Sequence, residues 1–186
     1  MHANLKALAL PMLLVLAPQA EAFDLNRVLH GDYAVTYSRV CSQSPNGFGP
    51  TGLAVAPASE LTSAIEMVQT YNGDGTSSAV GHALNIINNA ANQNELDFTC
   101  TGTYQVNNDG SFSEELNCSG TVVAGPIVGQ TFTQPGIRRS GHIGILAQTL
   151  VVSNTKSSLE SITFSGAPTI PLARICGRSG TGVRIR

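Results

Sequence analysis

The sequence predicts an all-β fold: a single antiparallel up-and-down barrel, with a β-sandwich as the alternative. Three observations carry that reading. Apolar and polar residues alternate with period two from residue 31 onward, the signature of half-buried strands. Short candidate strands follow one another across glycine-rich turns, the spacing of a barrel or sandwich. Charged residues make up only 12% of the chain, about half the usual share, and Gly, Ser, Thr and Asn fill the polar positions instead.

The first residues stand apart from this pattern. Lys6 precedes an apolar run from Ala7 to Ala17, and Ala20-Glu21-Ala22 offers the small-x-small site of a signal peptidase. Residues 1–22 therefore read as a secretory signal and are left out of fold reasoning. The run is shorter than the ~20 apolar residues a spanning helix needs, and no transmembrane segment is expected elsewhere. Residues 23–186 suit one domain, either secreted or periplasmic. The net charge of −2 gives no electrostatic case for nucleic acid.

Taking the elements in order, GDYAVTYSRVC (31–41) places Tyr33, Val35 and Tyr37 on one face and Asp32, Ala34, Thr36 and Ser38 on the other. The stretch 42–52 is dense in Pro and Gly and reads as a loop. LTSAIEMVQTY (61–71) could pass for a helix, but its β-favouring end and the following NGDG turn make it a strand. Residues 83–96 stay open between a strand running into a loop and a short helix. Beyond them Phe98, Cys100, Gly102, Tyr104 and Val106 alternate with Thr99, Thr101, Thr103 and Gln105, and a threonine row suits a solvated pleat. Further strands are predicted at 111–123, 140–153, 159–165, 171–176 and 181–186, with a turn at 154–158.

Two near-identical stretches, TYNGDGTSS (70–78) and TYQVNNDGSFS (103–113), raise the question of a repeated calcium loop. In either frame the terminal carboxylates of an EF-hand are missing. A three-residue hairpin fits better: Asn108 and Asp109 make a type I turn, and Gly110 takes the left-handed position. That register pairs Val106 with Phe112, Tyr104 with Glu114 and Cys100 with Cys118. The cysteines fall at a non-hydrogen-bonded pair, where Cα atoms approach to ~4.5 Å, within reach of a disulfide. By the same rule Asn72 pairs with Thr76. An even number of cysteines in an exported chain reads as disulfides, and Cys41 and Cys176 are left to pin the first strand to one of the last.

Several catalytic and binding patterns are missing. His30, His82 and His142 show no metal-ligand spacing, so no metal is expected. Ser179 in GRSGTG lacks the final glycine of a nucleophile elbow, and no Gly-Lys-Ser/Thr phosphate loop occurs. No cofactor is expected. The glycine-rich 177–182 stretch reads as a bend or bulge in a closing strand. The candidate site residues are Tyr33, Tyr37, Arg39, Tyr104 and Glu114, which would orient a small ligand if their faces point into a barrel. The rim is the favoured place for Arg39 and Glu114, because charged side chains usually avoid full burial. Arg174, Arg178, Arg184 and Arg186 follow the last acidic residue. Protection of an edge strand is the favoured reading of that basic end, ahead of attraction for an anionic partner.

Gly31-Asp32-Tyr33 opening the first strand, with Arg174 or Arg178 near the last, resembles the calycin pattern of lipocalin-like barrels. Allene oxide cyclase-like barrels are similar in outline. In that likeness Tyr33 replaces the lipocalin tryptophan, for the chain has no Trp. The resemblance implies carriage of a small molecule. The first expectation is an exported, non-catalytic barrel for a small, largely apolar ligand, with Tyr33, Tyr37 and Tyr104 lining a cavity. The alternatives are a structural or interaction module with a filled barrel, and an isomerase or cyclase using Glu114 as acid or base. No particular protein partner follows from the sequence.

Overall fold

The computed structural model describes residues 24–88, 92–153, 158–166 and 171–186. Residues 1–22, where a signal peptide is expected, lie outside them, as does all but the last residue of the expected 154–158 turn. Nine strands form among the described residues: β1 (His30–Ser44), β2 (Ser59–Asn72), β3 (Thr76–Ile87), β4 (Asn92–Val106), β5 (Ser111–Ala124), β6 (Thr131–Ile143), β7 (Thr149–Ser153), β8 (Ser158–Phe164) and β9 (Pro171–Arg184). Each neighbouring pair is antiparallel, and β9 returns to β1, with Tyr33 opposite Arg184 and Ser44 opposite Ala173. The sheet is thus a closed up-and-down barrel of eight positions, as the strand pattern predicts, and the sandwich is not realised. β7 and β8 share the seventh position: both pair with β6 and with β9, at opposite ends.

The NDG hairpin has the predicted register. Asn107 N donates to Ser111 O at 2.9 Å and Gly110, at φ +76°, closes the loop. Asp109 accepts from the Ser111 amide and hydroxyl, so its carboxylate serves the turn. Asp74 does the same for Thr76. Cys100 lies opposite Cys118 and is bonded to it, and Cys41 lies opposite Cys176 across the β1–β9 seam; both pairs have Cα atoms 4.1 Å apart. The second bridge and the full β1–β9 ladder therefore close the barrel at the same place.

In the stretch left open, residues 83–87 end β3 and residues 92–96 begin β4, so the strand alternative applies there and the helix does not. Three other segments differ from expectation. The expected strand 140–153 is instead the end of β6, a 3₁₀ turn (Ile145–Ala147) and β7. Most of β6 was not foreseen, because Pro135 and Gly136 interrupt its alternation. The β5–β6 register slips by one residue between Leu116 and Cys118, Gly136 sits at φ +67°, and its amide donates to Asn117 Oδ1 at 3.0 Å. Beyond this bulge, inward positions change from even (Phe132, Gln134) to odd (Ile137, Arg139). Finally, the expected strands 171–176 and 181–186 merge into one, β9, which ends at Arg184 and whose register against β1 runs unbroken through the glycines. A Cβ on Gly180 would lie 2.2 Å from that of Tyr37, so this glycine makes room inside rather than bending the chain.

The two ends of the barrel differ. At the end where β1 begins, the 3₁₀ turn Leu25–Val28 packs below Tyr33, Tyr71 and Tyr104. The last residues of the chain lie there too: Asp32 N donates to Arg186 O and Ile185 N donates to Asp32 O at 2.8 Å. At the opposite end stand Gln43, Leu61, Asn94 and Arg174.

Candidate functional site

The barrel wall turns its hydroxyls outward and an unusual set of polar groups inward. Thr99, Thr101, Thr103 and Gln105 are exposed, as the threonine row predicts. Arg39, Glu114, Arg139, Glu160, Arg174 and Arg178 are all buried. This corrects the rim placement of Arg39 and Glu114. It also corrects the edge-protecting role for Arg174 and Arg178, since β9 is paired on both sides.

The tyrosine end is filled. Tyr33 and Tyr71 meet edge to face at 5.5 Å between ring centres, and Tyr71 and Tyr104 do so at 4.9 Å, a favoured aromatic geometry. Tyr33 donates its hydroxyl to Ala147 O at 2.7 Å. The Tyr104 hydroxyl donates to Leu29 O at 2.7 Å and accepts from Gly73 N. Tyr71 donates to Glu114 at 3.4 Å.

Above the tyrosines lies the first ion pair. Glu114 accepts from both Nε and Nη2 of Arg139, and also from Gln69 at 2.9 Å and Ser77 at 2.7 Å. Burial, the largest influence, opposes the charge on Arg139, but the Glu114 carboxylate together with the Tyr71 and Tyr37 phenols outweighs it and the guanidinium pKa is raised. Tyr37 lies under the same guanidinium, 5.7 Å from ring centre to carbon, in a cation–π arrangement.

Burial, then the Glu114 charge, pushes the Tyr71 phenol well above its ordinary value. The unfolded chain therefore loses this proton at about pH 10 while the folded protein keeps it. Stability carried by this group is complete below that pH and is lost as pH rises. Urea unfolding followed from about pH 9 to 11 should show a falling midpoint, and the fall should be shallower in Tyr71→Phe. An unchanged slope in that variant would count against this origin.

The middle layer holds the second pair. Arg178 meets the Glu160 carboxylate at 2.5 Å, and Gln134 donates to Glu160 at 3.0 Å. Arg178 also reaches the Arg138 carbonyl at 3.4 Å. Arg39 donates to Ser63 Oγ at 3.1 Å and Asn85 Oδ1 at 3.4 Å. A void of about 30 Å³ beside Tyr37, Arg39 and Phe98 has room for a water or two.

A larger cavity, about 350 Å³, occupies the other end. Leu61, Ile87, Ile127, Phe164 and Leu172 supply apolar walls, while Gln43, Asn85, Asn94, Gln130 and Arg174 supply the polar ones. A more voluminous hollow, about 1060 Å³, lies on the outer wall among the hydroxyls of Thr36, Thr99, Thr121 and Thr133. It is separate from the buried charges.

The structure thus brings Tyr37 and Arg39 together beside the small void and ties Tyr37 to the Glu114–Arg139 pair. It sets Tyr33 and Tyr104 apart, at the tyrosine end. Gln69, Ser77, Arg139, Glu160 and the inward face of Arg174 escaped the sequence reading. One signal was available: Cys176 must face its partner, and Arg174 and Arg178 share its parity. No family model, curated protein or solved structure matches the chain.

Proposed function

We propose that this protein is an exported, non-catalytic barrel that binds one small, largely apolar molecule in the cavity at the Arg174 end. The supporting observation is the cavity itself: about 350 Å³ with five large apolar side chains in its walls. At the ~30 Å³ a water occupies in the liquid, that is space for roughly a dozen non-hydrogen atoms. Apolar walls with a few polar groups are the usual make-up of a ligand site. The two disulfides fit an oxidising compartment, extracellular or periplasmic.

A second reading, a structural module with a filled barrel, draws support from the packed tyrosine end and the ion pairs of the interior. Acid or base chemistry by Glu114 has less support, because donors already engage both carboxylate oxygens. Native mass spectrometry of the unreduced protein from its own host separates the first two readings. A stoichiometric extra mass that leaves on denaturation is the expected result. A bare mass would favour the filled module.

A further inference from the structure

We infer that the ligand of this cavity is an amphipathic anion whose carboxylate pairs with Arg174 while its apolar tail lies against Ile87, Ile127, Phe164 and Leu172. The inference rests on the proposed reading of the cavity as a ligand site and adds the chemistry of the ligand's head.

The buried charges do not balance. Among the described residues four buried arginines face two buried glutamates, and each glutamate is taken, Glu114 by Arg139 and Glu160 by Arg178. Arg39 is held by the neutral oxygens of Ser63 and Asn85. Arg174 is left with less. It is 2% exposed, its Nε donates to Gln43 Oε1 at 3.0 Å, and its Nη1 has no hydrogen-bond partner among the described residues. Burial, then the like charge of Arg39, drives its pKa well down; Arg178 adds to this and Glu160 opposes it. A buried guanidinium without a counter-charge is costly, and an unsatisfied buried donor calls for an explanation. Arg174 also lines the apolar cavity, together with Asn94, whose Oδ1 is likewise unpartnered. A carboxylate arriving there would supply the missing charge and match the planar fork of a guanidinium.

The decisive comparison is octanoate against octan-1-ol and acetate, by titration calorimetry on the oxidised protein at low salt. A charge-assisted hydrogen bond corresponds to a preference of about tenfold or more, so octanoate should bind at least that much more tightly than octanol. Acetate, lacking the tail, should bind far more weakly. In Arg174→Met the preference for octanoate should vanish, while the ligand-free Tm rises because an uncompensated buried charge has gone. Arg174→Lys, which keeps the charge, should retain part of the preference. On the wild type, octanoate should shift the methyl signals of Ile87, Ile127 and Leu172 and leave Leu150 and Val152 at the tyrosine end unmoved.

Equal binding of octanoate and octanol, with the same cavity methyls shifting, would overturn the anion and leave the apolar site standing. Acetate binding as tightly as octanoate would overturn the tail. A fall in the Tm of Arg174→Met would assign Arg174 a structural role and overturn the inference. Failure of both eight-carbon probes to bind would remove the cavity as a ligand site altogether.

Discussion

Glu114→Gln should destabilise the protein by about 3–5 kcal/mol, the cost of removing one partner from a buried ion pair. The substitution keeps the shape and removes the charge that faces Arg139, which is 3% exposed and has its Nε and Nη2 on this carboxylate. The amide would also present an NH₂ to donors from Gln69, Ser77 and Tyr71 that now converge on carboxylate oxygens. The double variant Glu114→Leu/Arg139→Met takes away both charges, and it should recover most of the loss, since apolar replacements of buried pairs are often neutral or better. Urea unfolding of the three oxidised proteins measures this directly. A single variant within about 1 kcal/mol of wild type, as for an exposed pair, would mean that water reaches the site.

Removing the seam disulfide should have an effect of similar size. Cys41 and Cys176 are 135 residues apart in the chain, Cys100 and Cys118 only 18. In the loop-entropy account the first bridge contributes roughly 5 kcal/mol and the second about 3. Cys41→Ala/Cys176→Ala should therefore unfold at clearly lower urea than Cys100→Ala/Cys118→Ala. Barrel geometry argues the same way. Cys100–Cys118 staples a hairpin whose turn already sets its register, whereas Cys41–Cys176 joins strands that no short turn brings together. The reverse order would show that native packing around the bridges, and not the length of chain they close, governs their effect.

Local chemistry was legible wherever it was self-contained. Asn107 to Ser111 specify their own turn, and the hairpin register carried Cys100 to Cys118 without help from the rest of the fold. Period two was equally clear in β1 and β4, where no residue interrupts it, while β2 was legible from its β-favouring end and the turn after it. It failed in β6 because Pro135-Gly136 shifts the phase, so Arg139 falls on the parity that the residues before the bulge assign to solvent. It failed in β9 for another reason. Glycines at 180 and 182 read as breaks, but their lack of a side chain is a packing requirement set by Tyr37 on β1 and, at 182, by Val35 and Leu150, residues distant in sequence.

The buried charges were hidden by a sound general rule. Arginine and glutamate avoid interiors, and the exceptions depend on partners from other strands: β5 with β6 for one pair, β8 with β9 for the other. A single strand holds no trace of its partner. Only the cysteines, whose inward direction is fixed by the bond they make, could have shown that Arg39, Glu114, Arg174 and Arg178 point inward.

The meeting of Asp32 with Ile185 and Arg186 gives the molecule a handle. Residue 24 and the C-terminus both leave the barrel at the plugged end, so a tether, affinity tag or fused domain added to either hangs from that side. The cavity end faces away from whatever holds the protein. A surface-immobilised form would present its Arg174 side to the medium whichever terminus carried the attachment. A short linker could also join residue 24 to residue 186, with new ends cut into an exposed hairpin, and leave the barrel's staves in their present order.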